Sequence, residues 1–313
     1  MKNLVHIPVM LDETITLLNV KPSGTYVDCT LGRAGHSKAI LERLLTGKLY
    51  AFDLDQTAIN DSQRILNKYD RDYLLIKNNF ANLTEELRAR NITKVDGIIY
   101  DLGISSPQVD DEDRGFSYKT NSRLDMRMDQ NQKLTAWDIV NTYSYQDLKD
   151  IIKTYGEEPF AATIAKNIVN FRNKEAIDTT EQLTNIIKNS LPAKQKNKSH
   201  HPAKKTYQAI RIAVNDELGS LKTSLVQALK LLKPKGRIVV ISFHSLEDRI
   251  VKNVFLTVVK DPQYEVYAKL PIASNWTSNY KIITKKPIIP TEQEIRENPR
   301  SRSAKLRVIE RVS

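Results

Sequence analysis

Two rhythms of apolar and polar positions alternate along the first third of the chain. Short runs rich in β-branched and aromatic residues, Thr25–Cys29, Leu49–Phe52, Tyr73–Lys77 and Val95–Tyr100, read as strands. Between them, His36–Leu45, Thr57–Tyr69 and Leu83–Arg90 carry apolar residues at helical spacing. Parallel strands cannot be joined by a tight turn, so strand–helix–strand successions of this kind imply crossover units. The expected fold is α/β, a doubly wound and mostly parallel sheet.

The rhythm breaks after Asp101. Residues Ser105 to Asp129 are polar and turn-rich, and from Thr135 to Ser190 only helical spacing recurs. Thr135, Ser144 and Thr180 precede these helices and are the expected N-caps, because their hydroxyls can accept an otherwise orphaned backbone N–H. Strand character resumes at Arg237–Phe243, a helix follows over "SLEDRIVKNVF", and "SAKLRVIERV" is expected as an edge strand. A helical block between two α/β stretches is most simply an insertion. The expected domains are therefore 1–104 together with 207–313, and an inserted helical domain at 105–206.

Composition narrows the class. No run approaches the roughly 18 apolar residues of a membrane span, and the first residues lack a signal-peptide pattern. One cysteine, Cys29, leaves no disulfide framework and no cysteine-based zinc site, so a cytoplasmic protein is expected. The net charge of +11 calls for a polyanionic partner. Its distribution is sharper than its total: from Gln182 to Asn215 there is no acid, while Lys188, Lys194, Lys196, Lys198, Lys204, Lys205 and Arg211 all fall there. A solvated basic loop is the plainer reading of that window; contact with a nucleic-acid backbone is the functional one.

Candidate chemistry begins at the first strand. "TYVDCTLGRAGHS" is a strand, a turn carrying Gly32 and Gly35, and a helix start, which lets a ligand approach the main chain. The spacing is not the dinucleotide glycine pattern, since Thr30 occupies the first glycine position. Asp53 ends the second strand, 18 residues after Gly35, close to where an acid accepts ribose hydroxyls. Asp55 is better suited to cap the following helix. Asp101 ends the fourth strand, and Asp28 the first. Three acids with only Arg33 nearby suit a ligand bearing hydroxyls, an amine and a cationic centre better than a pyrophosphate. That favours S-adenosylmethionine over a nicotinamide dinucleotide.

"HIPVML", "DCTLGRAGHS", "DLGISSPQ", "DRGFSY", "LDMRMD", "YGEE", "ISFHSLEDR" and the closing "NPRSRSAKLRVIER" occur in order from about residue 4 to 311. Together they resemble the RsmH (MraW) family, the S-adenosylmethionine-dependent methyltransferases of the cytosine N4 amine in small-subunit rRNA. The resemblance implies a Rossmann-like methyltransferase fold with an inserted helical substrate domain, and a decoding-centre cytidine of 16S rRNA as target. It implies cofactor contacts from Ala34, Gly35 and His36, from Asp53, from Phe80, and from Asp101 and Gln108. Arg33 and Ala34 stand where glycines are common in that family, a departure expected to narrow the turn at Arg33.

An exocyclic amine is a weak nucleophile, so positioning is the main resource for methylating it. Asp101 is the candidate catalytic residue, either accepting an N4–H bond or only holding cofactor. Ring-carbon methylation would need a thiol, and Cys29 on the first strand reads as a small core residue instead. The basic residues Lys194, Lys196, Lys198, Lys204, Lys205 and Arg211 are expected on the RNA backbone. Phe116 and Tyr118 are expected either to stack on an unpaired base or to pack the insert against the sheet domain, and His244 either to touch base or phosphate or to take a capping or packing role. The acidic run Asp110–Asp113 reads as a solvated loop, and no metal is expected. Small ribosomal subunits are the expected partner, with no obligate protein partner and no membrane. A non-catalytic assembly factor and an amino-methyltransferase of another nucleic acid are the alternatives.

Overall fold

The computed structural model of the chain describes residues 7–192, 201–261 and 277–313. The chain forms two compact units, residues 1–103 with 218–313, and residues 104–217. The second boundary lies at Glu217/Leu218 rather than at 206/207. Helix Lys204–Asn215 packs on helix Tyr145–Gly156 and so belongs wholly to the inserted unit. The two helices approach so closely that a Cβ on Gly156 would sit 2.7 Å from the Lys205 carbonyl oxygen.

Among the described residues the first unit is built on seven strands: β1 (Thr25–Asp28), β2 (Lys48–Asp53), β3 (Asp72–Lys77), β4 (Val95–Asp101), β5 (Leu232–Ser242), β6 (Tyr280–Ile282) and β7 (Lys305–Arg311). Their spatial order is β3-β2-β1-β4-β5-β7-β6. The first five run parallel, as the crossovers require, and β7 runs antiparallel to both neighbours. The doubly wound sheet is as expected. Two details differ. β7 is not an edge strand, because β6, too short to show a period in sequence, pairs outside it. β5 starts at Leu232 rather than Arg237, with a register shift against β4 between Val95 and Gly97.

Successive strand residues feed opposite faces. Val27, Tyr50, Phe52, Ile98, Tyr100, Ile238 and Val240 pack one core layer, and Tyr26, Leu49, Ala51, Ile99, Val239 and Ile241 the other. Cys29 lies in the first layer, 1% exposed, and burial pushes its thiol well above the ordinary range. It is a core residue and no nucleophile.

The helical unit has its own core of Ile139, Leu148, Ile164, Ile168, Leu183, Ile187 and Ile210. Thr135 caps helix Ala136–Thr142 in a reciprocal box with Asp138, and Ser144 caps helix Tyr145–Gly156. The third cap is Thr179, boxed with Gln182, rather than Thr180. Thr180 is buried instead, its hydroxyl donating to the Thr120 carbonyl at 2.6 Å. "DRGFSY" and "LDMRMD" clasp each other: the Met126 N–H donates to the Arg114 carbonyl at 3.0 Å, and Arg114 Nη2 donates to the carbonyls of Arg127 and Met128. Phe116 sits inside that clasp, 7% exposed and in the helical core. The expected base-stacking role for Phe116 is therefore withdrawn, since its faces are already covered.

Candidate functional site: the carboxyl edge of the sheet

Chain direction places the site. β1 and β4 lie side by side while the chain from β1 winds one way and that from β4 the other, the point at which open α/β sheets leave a crevice outside their carboxyl ends. Asp28, Asp53 and Asp101 terminate β1, β2 and β4 at that edge.

Their roles diverge. Asp28 is 1% exposed and turned inward; one carboxyl oxygen accepts the Thr30 N–H at 3.0 Å and the other the Ser37 hydroxyl at 2.7 Å. It anchors the turn rather than presenting a free acceptor. Thr30 extends the network, its hydroxyl accepting the Asp101 N–H at 2.6 Å. Asp53 accepts the N–H of Gly32 on one oxygen and of Asp55 on the other, both at 2.9 Å. Burial, only partly offset by those bonds, pushes its carboxyl up to about 6. Asp55 caps helix Gln56–Leu66, as its position suggested.

The turn itself is strained in a directed way. Gly32 and Ala34 both adopt the left-handed region, at φ of +50° and +57°. Space beside Gly32 is open, the nearest atom to an added Cβ being Thr30 O at 3.8 Å. Gly35 is the opposite case, since an added Cβ would lie 2.3 Å from Pro8 Cγ. Pro8 thus closes over the turn. His36 secures it, with Nε2 3.1 Å from the Val9 carbonyl.

Asp101 is the exposed end of this network. One of its oxygens stands 3.5 Å from His36 Nδ1. The other, Oδ1, is buried and has no hydrogen-bond partner. A buried carboxyl oxygen left unpaired is costly and calls for a physical reason. Burial, then the negative fields of Asp28 and Glu247, push this carboxyl up to about 8. Glu247 was not anticipated as part of the site. It is 2% exposed and accepts the Phe243 N–H at 2.7 Å and the His244 N–H at 3.3 Å. The signal was present as a capping-box pattern, "HSLE", with His244 as the cap of helix Ser245–Val259. Capping is thus the role this structure gives His244.

Phe80 stands edge-on to Tyr100 with ring centroids 5.8 Å apart, beside the capping residue Asn79. The remaining candidates lie in the helical unit. Gln108 is buried and accepts the Ser105 N–H at 3.1 Å. Tyr118 stacks on His201 at 4.3 Å and meets Tyr207 edge-on. Lys204 and Lys205 are exposed, Lys205 donating to the Glu157 carbonyl at 2.8 Å. Arg211 is a correction: its guanidinium is 14% exposed and forks onto Glu217 at 2.8 and 2.9 Å, so its charge is spent within the fold. Lys194, Lys196 and Lys198 lie outside the described residues. The acidic run Asp110–Asp113 is exposed, as expected, with Asp111 accepting the Asp113 N–H.

The raised carboxyl at Asp101 has a stability consequence. The folded protein keeps a proton that the unfolded chain releases near pH 4, so this group's contribution is present at low pH and lost as pH rises towards about 8. Asp53 adds a similar loss that is complete near pH 6. The ligand-free protein should therefore melt at progressively lower temperature between pH 6 and pH 8, and Asp101→Asn should flatten that interval. Parallel melting profiles for the two proteins would refute the assignment.

The sequence matches the MraW methylase family over residues 3–312. It is 57% identical over 308 residues to ribosomal RNA small subunit methyltransferase H of Spiroplasma kunkelii, covering 98% of both chains. Proteins of the same name from Lactiplantibacillus plantarum and Mesoplasma florum are 52% and 50% identical, covering 100% and 98% of this chain and 98% and 99% of theirs.

Proposed function

The chain belongs to the MraW methylase family, and from that premise we propose that it transfers the methyl group of S-adenosylmethionine to the N4 amine of a decoding-centre cytidine in 16S rRNA. The observation that carries the chemistry is Asp101: a carboxyl at the switch point, with one oxygen unpartnered, able to exchange a proton near neutral pH.

The residues at the sheet edge suit that cofactor. Asp53 offers acceptors for ribose hydroxyls, and the open backbone at Gly32 admits close approach. The orphaned Asp101 oxygen suits a cationic neighbour, and the single basic residue of the turn, Arg33, is exposed rather than aimed inward as a pyrophosphate would require. Ala34, Gly35, His36 and Phe80 complete the proposed cradle. Gln108 belongs to the helical unit, and its part in the reading rests on the family resemblance alone. When bound, the cofactor supplies an electrophilic methyl group on a sulfonium.

What this chain contributes is orientation and proton management. Asp101 accepts a hydrogen bond from the cytosine amine, turning the nitrogen lone pair towards the methyl carbon. As the N–C bond forms, the methyl–sulfur bond would break with its electron pair going to sulfur, which leaves as a neutral thioether, while the nitrogen acquires positive charge and must shed a proton. In its ionised form Asp101 can take it, and His36 Nδ1 lies 3.5 Å from the carboxyl's other oxygen. Proton transfer by a positioned group contributes about 10²–10⁴-fold. Asp28 and Thr30 are positioning residues that act through the Asp101 backbone.

Tyr118, Lys204, Lys205 and the lysines at 194, 196 and 198 are proposed to bind substrate RNA, and the small ribosomal subunit is the proposed partner. No described helix is long and apolar enough to cross a membrane. The proposed location is the cytoplasm, where ribosomal subunits are assembled.

The test is transfer of labelled methyl from S-adenosylmethionine to small subunits from cells lacking this enzyme, with naked 16S rRNA in parallel. Digestion and mass analysis should return N4-methylcytidine from one decoding-centre position. Label on another nucleoside would discard the target; tight cofactor binding with no label would discard the enzyme in favour of an assembly factor.

A further inference from the structure

Beyond Asp101, the same edge of the sheet holds a cavity of about 360 Å³ that the reaction as described does not use. Phe243, His244, Ile289, Ile295, Arg302 and Lys305 form its walls. Its volume falls within the range of small-ligand sites, about 300–1,000 Å³. Two features set its chemistry. Ile289 is 65% exposed, an apolar side chain of that size facing solvent at a cavity wall. Arg302 and Lys305 supply positive charge, and no acid lines the cavity. Arg302 is exposed and has no acidic partner among the described residues. Lys305 is only loosely committed: its Nζ lies 3.6 Å from Asp248, whose nearer partner is Arg307 at 2.6 Å.

An apolar wall beside an unpaired cation fits a ligand that is flat and apolar on one side and anionic on the other. An unstacked ribonucleotide has that character, with a base for Ile289 and a phosphate for Arg302. Position supports the match. Asp101 pairs with Ile241 across β4 and β5, and the cavity begins two residues further along, at Phe243. A strand rises about 3.3 Å per residue, so the cavity starts roughly 7 Å past Asp101, comparable with one step along an extended single strand. Phe243 also flanks Gly103, where an added Cβ would lie 3.5 Å from its ring.

We propose that this cavity binds the nucleotide next to the methylated cytidine, with Arg302 on its phosphate and Ile289 against its base. The proposal rests on the RNA-methyltransferase reading and adds to it a subsite on the sheet unit, apart from the basic window of the helical unit. A subsite of this kind holds the strand flanking the target, so that the cytosine can leave its stack without the RNA sliding.

The experiment measures anisotropy of a fluorescently labelled cytidine hexaribonucleotide with the full-length protein at low salt. Arg302→Ala should weaken binding about tenfold and lower the salt dependence by the equivalent of one phosphate contact, while Arg302→Lys should keep most of that dependence. Ile289→Ala should weaken binding severalfold and leave the salt dependence unchanged. Melting temperatures and calorimetric affinity for S-adenosylhomocysteine should match the parent protein in all three, which separates lost contact from lost fold. Binding and salt dependence unchanged in both Arg302→Ala and Ile289→Ala would overturn the proposal, as would an absence of oligonucleotide binding by the parent protein. Because binding is read without turnover, failure of the methylation assay would leave this result standing. Methylation that proceeds with unaltered RNA affinity in the variants would remove the subsite and leave the reaction.

Discussion

Asp101→Asn should lower the rate of methyl transfer at saturating cofactor and RNA by roughly a hundredfold or more. The substitution preserves size and keeps one carbonyl oxygen, so the Asp101 N–H bond to the Thr30 hydroxyl at 2.6 Å has no reason to break. What disappears is the capacity to accept a proton. The amide also presents N–H donors of its own towards an amine that needs an acceptor. Single-turnover kinetics with labelled S-adenosylmethionine, alongside RNA affinity measured separately, checks this. RNA affinity should be unchanged. A variant that recovers the full rate once cofactor is raised would reduce Asp101 to a cofactor ligand and sink its catalytic role.

The second large effect is expected at Asp53. Asp53→Ala should weaken cofactor affinity by about ten- to a hundredfold, the range expected when a charged hydrogen-bond acceptor worth about 1.5–3 kcal/mol is removed. Two losses combine there. The ribose loses its acceptor, and the N–H groups of Gly32 and Asp55 lose the carboxyl that holds the turn. Asp53→Asn keeps an acceptor for one of these bonds and should fall between the parent and the alanine variant. Because the carboxyl is pushed up to about 6, affinity in the parent protein should hold above that pH and decline below it as the acceptor is protonated. Calorimetry with S-adenosylhomocysteine from pH 5 to 8 reads both effects. Affinities within twofold of each other in parent and alanine variant would remove Asp53 from the site.

The elements that the chain announces are those whose causes are local. β1 to β4 and their helices follow from apolar period, and the caps Thr135, Ser144 and Asp55 from a side chain reaching a backbone N–H two or three residues away. Neighbouring alternatives are where local reasoning slips. Thr179 and Thr180 are equivalent as caps on paper, and the choice falls to Gln182, whose side-chain oxygen accepts the backbone N–H of Thr179 and of Asp178 but not that of Thr180. β6 is three residues long, with no period to detect, and it is β6 that takes the outer position expected of β7.

Side chains chosen for their chemistry fared according to what surrounds them. Phe116 and Arg211 have the right types for gripping RNA, yet one is covered by the helical core and the other is forked onto Glu217. "DRGFSY" and "LDMRMD" look like site motifs and are a structural clasp. Conversely Arg302 and Ile289, unremarkable in a C-terminal stretch, meet at one cavity.

The sequence by itself determined the parallel sheet, the helical insertion, the family, and the arrival of Asp28, Asp53 and Asp101 at one edge, because strand direction and crossover geometry leave those acids nowhere else to go. Only the tertiary structure decided what each acid does there. Asp28 is consumed by Ser37 and Thr30, Asp53 is held between two backbone N–H groups, and Asp101 keeps an unpaired oxygen in the fields of Asp28 and Glu247. Burial and charge coupling act through space between residues far apart in the chain, and a one-dimensional pattern carries no distance between them.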